Sequence, residues 1–174
     1  MSNIRSVIVP SANLALMYME RLLNGVTQEN YARFARPGGV VVHSNHPAFV
    51  LGHLALYPQR VMMHFGLPAG ATAVPATYEG LFKDGVECRD DVEGKIYPSF
   101  EELRTTFFNA YRAAIAAVES GSEEVYAKEN PLESSRKLFP TIGSATDFYL
   151  TSHVFLHAGQ ISAWRRAIGM PPAM

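Results

Sequence analysis

Apolar positions recur every three to four residues over four stretches of the chain, and no segment alternates strictly between apolar and polar residues. This is the period of a helix with one buried face, so the pattern predicts an all-α fold. In the first stretch Leu14, Met17, Tyr18 and Leu22 share a face. Ser11, after Pro10, reads as the N-cap and Asn24-Gly25 as the stop. Residues 27–36 predict a further helical turn or two before the Pro37-Gly38-Gly39 break. The second stretch starts at Asn45 as N-cap with Pro47 in the first turn, and carries Phe49, Val50, His53, Leu54, Tyr57, Val61 and Met62. It ends before Gly66, and Pro58 inside it predicts a kink.

The third stretch opens on a capping box, Ser99-Phe-Glu-Glu102, and runs through Leu103, Phe107, Ala110, Tyr111, Ala114, Ile115 and Val118 to Ser120-Gly121. The fourth begins between Thr141 and Ser144, with Ser144-Ala-Thr-Asp147 as an N-terminal box. It continues through Phe148, Leu150, His153, Val154, His157, Ile161 and Trp164 to Gly169. Residues 67–97 form a long connection rich in Pro and Gly, with a short helix expected over 78–83. Four amphipathic helices in 174 residues predict one domain, residues 1–174, built as a four-helix bundle.

Composition removes several functions. Lys plus Arg number 15 against 16 for Asp plus Glu, which argues against a broad surface for nucleic acid or acidic membrane. No apolar run approaches the ~20 residues of a bilayer span, and the N-terminus lacks the pattern of a signal peptide. Cys88 is the only cysteine, so neither an intrachain disulfide nor a thiolate metal cluster is available. A reducing, cytoplasmic setting is the expectation.

Candidate chemistry lies with the histidines. His153 and His157 stand four residues apart, so a helix projects both imidazoles from one face. His53 falls on the inward face of the second helix. Together the three can hold a divalent transition ion and leave a coordination position open, as catalytic sites do. For each His taken alone, a core residue bonded to a backbone carbonyl is the ordinary alternative. His46 and His64 lie too far along the second helix to share an ion with His53. His46 is read as a helix-start residue near the rim of a site, His64 as a surface or helix-end residue, and His43 as a loop residue. Gln160, one turn beyond His157, and Tyr149, one turn before His153, are the candidates for orienting ligands, metal-bound water or substrate. Core packing competes for Tyr149. Arg165 and Arg166 suit the negative end of their helix dipole better than a substrate anion. Cys88 has no base beside it and is not read as a nucleophile.

The segments His46-Pro-Ala-Phe-Val-Leu-Gly-His53-Leu-Ala and His153-x-x-x-His157-Ala-Gly-Gln160-Ile, continuing to Arg165-Arg166-Ala-Ile-Gly169-Met-Pro171, resemble the DinB/YfiT-like family of metalloenzymes. The resemblance extends to Tyr97-Pro98-Ser99 at the start of the third helix. It implies an up-down-down-up four-helix bundle with a long crossover between helices 2 and 3. It also implies a zinc, nickel or iron ion on His53, His153 and His157, and a homodimer. Relatives of this type include S-transferases that use a low-molecular-weight thiol. The expected function is therefore metal-dependent chemistry on a small molecule, as a thiol transferase. A metal-dependent hydrolase and a non-catalytic metal- or small-ligand-binding protein are the alternatives. Without an obvious carboxylate near the triad, the thiol route is favoured over hydrolysis, since a metal-activated thiol needs no strong general base.

Overall fold

The computed structural model describes residues 3–173, whose regular secondary structure is helical, with isolated bridges Ala35↔Val42 and Glu129↔Thr141 as the only β-type pairings among them. Helix α1 spans Arg5–Leu23, so it begins earlier than Ser11 and passes through Pro10. Pro10 and Ser6 are both exposed, so the carbonyl that a proline N–H would have bonded faces water. Over residues 27–36 Tyr31 N–H on the Thr27 carbonyl closes one helical turn and Arg33 N–H on the Asn30 carbonyl a tighter one, and no helix forms.

The second predicted helix is two. Helix α2 spans Pro47–Ala55 and α3 spans Pro58–His64, with Pro58 as the first residue of the new segment. Asn45 is not the cap. His46 is, its Nδ1 accepting the Phe49 N–H at 3.3 Å while its Nε2 bonds the Arg89 carbonyl at 2.9 Å. Helix α4, Thr77–Phe82, lies in the long connection close to its predicted place. Helix α5, Phe100–Ser120, starts on Ser99, whose Oγ accepts the Glu102 N–H. The Glu102 carboxylate turns away from the cap and accepts from Tyr78 Oη instead.

After the short α6, Glu123–Tyr126, the chain enters α7, Ile142–Asp147, through a reciprocal box between Thr141 and Ser144, three residues earlier than the predicted one. A π-helical stretch, Phe148–Ser152, joins α7 to α8, His153–Ala167. The core gathers where α5 meets α1, α2 and α3, and where α1 and α2 meet α8. Leu103, Phe107, Tyr111, Ala114 and Val118 supply the buried stripe of α5. Two loop carboxylates tie down the crossover: Asp90 bonds Arg33, Arg36 and the Phe34 N–H, and Asp91 accepts the N–H groups of Lys95, Ile96 and Tyr97. None of the described helices is long and apolar enough to cross a membrane.

Candidate metal centre

Helix α2 delivers His53 and α8 delivers His153 and His157 to one buried cluster in which one ring nitrogen from each lies within 4.8 Å of the other two. The ring orientations follow from the partners of the outer nitrogens. His53 Nδ1 lies 2.8 Å from the Phe82 carbonyl, which only accepts, so the proton is on Nδ1 and the Nε2 lone pair points inward. His157 Nδ1 lies 2.8 Å from Gln160 Oε1 and donates in the same way. His153 presents its Nε2 to both, 3.3 Å from His53 Nε2 and 3.2 Å from His157 Nε2.

These separations suit one ion. In a tetrahedral site with Zn–N bonds of 2.0–2.1 Å, neighbouring nitrogens are about 3.3–3.4 Å apart. The lone pairs make the same case. His53 and His157 carry no proton on Nε2, and His153 can offer one proton to only one of them, so facing lone pairs repel unless a cation sits between them. Burial pushes all three imidazoles below their ordinary pKa, with neighbouring positive charge adding to the effect. His153, flanked by His157, His53 and Arg60, falls furthest, to about 3. All three are thus neutral near pH 7, the form that binds a metal.

The packing around His53 rests on a glycine. A Cβ at Gly52 would stand 2.5 Å from the Phe82 ring, so the bare Cα is what lets α4 approach α2 and offer its last carbonyl to His53. Phe82 itself is fully buried. Neither Gly52 nor Phe82 carries chemistry of its own, and an acceptor that is a backbone carbonyl leaves no trace in residue type.

Gln160 Oε1 accepts from His157 Nδ1 and is in turn held by Asn45, whose Nδ2 donates to the same Oε1 at 3.1 Å. Tyr149 does not bond a ligand. Its hydroxyl accepts from Arg60 at 3.4 Å, and its ring packs on Tyr57, Phe139 and Phe148. The π-stretch is the reason. The His153 N–H bonds Phe148 O, five residues back, so Tyr149 is turned out of the one-turn relation to His153 that a regular helix would give. Tyr57, at the break between α2 and α3, takes that place, its ring 4.4 Å from that of His153.

The cluster opens onto a pocket of ≈ 470 Å³ whose apolar walls include Phe49, Tyr57, Val86, Phe148 and Leu156. Lys83, Asp84 and Asn45 supply its polar groups. Asp84 corrects the expectation that no carboxylate stands near the triad. The residue is adjacent to α4 on a turn closed by Val86 N–H on Lys83 O, with Gly85 at φ 83°.

The remaining candidates lie elsewhere. His46 is buried in the cap of α2 against Tyr97, not at a rim. His64 ends α3 but is buried, with no partner on either ring nitrogen. His43 is exposed, edge-on to Phe34. Arg165 is buried and donates to the Leu22 and Asn24 carbonyls at the end of α1, whereas Arg166 is exposed and bonds Ser162. Burial pushes the Cys88 thiol up to about 11, which keeps it protonated and unreactive.

No family model, curated protein or solved structure matches this chain.

Proposed function

We propose that the chain is a metal-dependent enzyme of DinB/YfiT-like type. In this reading it is a four-helix bundle running up-down-down-up, with residues 67–97 as its crossover. His53, His153 and His157 hold one zinc, nickel or iron ion and leave coordination open toward a small-molecule pocket. The observation that carries the reading is the convergence of the His53 and His157 Nε2 atoms on His153 Nε2, at 3.3 and 3.2 Å, with the protons of His53 and His157 committed to Phe82 O and Gln160. An ion so held supplies Lewis acidity that lowers the pKa of a water or thiol in the open position. The chain's own residues set the tautomers, wall the pocket with Phe49, Tyr57, Phe148 and Leu156, and line its mouth with Lys83 and Asp84.

The nucleophile in this reading is the sulfur of a low-molecular-weight thiol. A bond forms from sulfur to an electrophilic carbon while the leaving group departs with its electron pair. Hydrolysis is the second reading, and Asp84 favours it, because attack by water needs a proton acceptor and a pocket carboxylate is one. Asp84→Asn separates the two: hydrolysis would fall by roughly 10²-fold or more, whereas thiol transfer would be little changed.

The first test is elemental analysis of protein purified without an affinity tag, followed by zinc and nickel titration. One divalent ion per chain, lost in His153→Ala, is the expected result. Full occupancy in His153→Ala would sink the site assignment. A loaded protein with no turnover of thiols or esters would mark a metal-binding rather than a catalytic protein.

A homodimer forms part of the proposal. Helices α1 and α8 pack side by side, and residues 6–19 and 148–164 contain no Asp, Glu, Lys or Arg. Leu14, Met17, Phe155 and Leu156 are exposed there, beside a groove of ≈ 420 Å³ that includes Gly159 and Ser162. An apolar, charge-free face with both knobs and a groove suits pairing with its own copy.

A further inference from the structure

Asn45 lies in the loop before α2, and nothing in its sequence position marks it for the metal centre. Its Nδ2 nevertheless donates at 3.1 Å to Gln160 Oε1, the atom that also accepts from His157 Nδ1 at 2.8 Å. A carboxamide can be turned either way round, presenting oxygen or nitrogen to a neighbour. Gln160 alone therefore does not decide which nitrogen of His157 carries the proton. With Oε1 toward the ring, Nδ1 is protonated and Nε2 is a ligand. With Nε2 of the amide toward the ring, Nδ1 must accept, and the proton moves to the His157 nitrogen that faces His153. On the far side of Gln160 stands the Asn45 carboxamide, and in the structure it turns its N–H to Oε1, which goes with the first arrangement.

We propose that Asn45 is a positioning residue for the metal centre. By donating to Gln160 Oε1 it locks that amide in the orientation that makes His157 Nε2 a metal ligand. The relay crosses from the loop before α2 to α8, so it also fixes the two ligand-bearing helices relative to each other. The tautomer statement stands on the protein alone; its consequence for affinity rests on the metal reading given above.

Asn45→Asp tests it sharply. A carboxylate at this position only accepts, so Gln160 must turn its nitrogen toward it, and His157 is driven to the Nε2–H form. The negative charge by itself would attract a cation, so a purely electrostatic role predicts tighter binding and the relay predicts weaker binding. Imidazole ¹⁵N correlation spectra of the metal-free protein should show His157 protonated on Nδ1 in the wild type, on Nε2 in Asn45→Asp, and mixed in Asn45→Ala. Zinc affinity, measured by competition with a chromophoric chelator, should fall about 10-fold in Asn45→Ala and about 100-fold in Asn45→Asp, the span seen when outer-shell partners of metal ligands are removed. An unchanged His157 tautomer in Asn45→Asp, or zinc binding as tight as wild type, would overturn the relay. Correct tautomers in a wild-type protein that takes up no zinc would instead uphold the relay and refute the metal reading.

Discussion

His153 is the least protonatable of the three histidines, because burial and the positive charges around it hold its pKa at about 3 in the metal-free protein. An unfolded imidazole titrates near 6.5. Between those values the unfolded chain binds more protons than the folded one. The stability that His153 contributes is therefore complete above about pH 6.5 and lost as pH falls from there toward about 3. Denaturant midpoints of metal-free protein should follow this course, and His153→Ala should show a shallower decline. An equal slope in the variant would assign the acid sensitivity to other groups. Arg165 makes a second prediction at this level. Its guanidinium satisfies the Leu22 and Asn24 carbonyls from a buried position, so Arg165→Met should cost roughly 2–4 kcal/mol in urea unfolding through orphaned carbonyls. The sequence placed this charge near a helix C-terminus; the end it serves is that of α1, an assignment that spacing along α8 cannot contain.

Among the elements, the helical stretches were readable because burial of one face imposes a local period, as in Leu103, Phe107, Tyr111, Ala114 and Val118 of α5. The break at Pro58 was readable for a similar reason, since proline forbids a bond within its own helix. The π-stretch before His153 was not. It is a register change settled by packing, with Tyr111 Oη donating to the Tyr149 carbonyl inside it. The close approach of α4 to α2 is also tertiary, and it yields a mutational test. Gly→Ala inside a helix ordinarily gains about 1 kcal/mol. Gly52→Ala should instead destabilise by about 1–3 kcal/mol by overpacking against Phe82. It should weaken zinc binding as well, because His53 loses its carbonyl acceptor. A neutral or stabilising result in thermal melts would show that Phe82 yields without cost.

For the molecule as a whole, the charge-free α1/α8 face predicts a concentration-dependent dimer. Leu14→Glu should shift sedimentation equilibrium toward monomer, as Leu14 is 43% exposed and lines the groove on that face. A wild-type monomer at all concentrations would remove the dimer from the proposal. The amino-acid order alone specified an all-helical chain with His53, His153 and His157 on inward faces, since helix period and ligand spacing are properties of neighbours in sequence. Only the tertiary structure decided which atoms orient those ligands. Phe82 contributes a backbone carbonyl, which any residue could supply. Asn45 leaves the cap to His46 and turns to Gln160. Asp84 joins the pocket from a turn beyond α4. Each of these joins residues far apart along the chain, and their selection depends on how the helices pack rather than on any local preference.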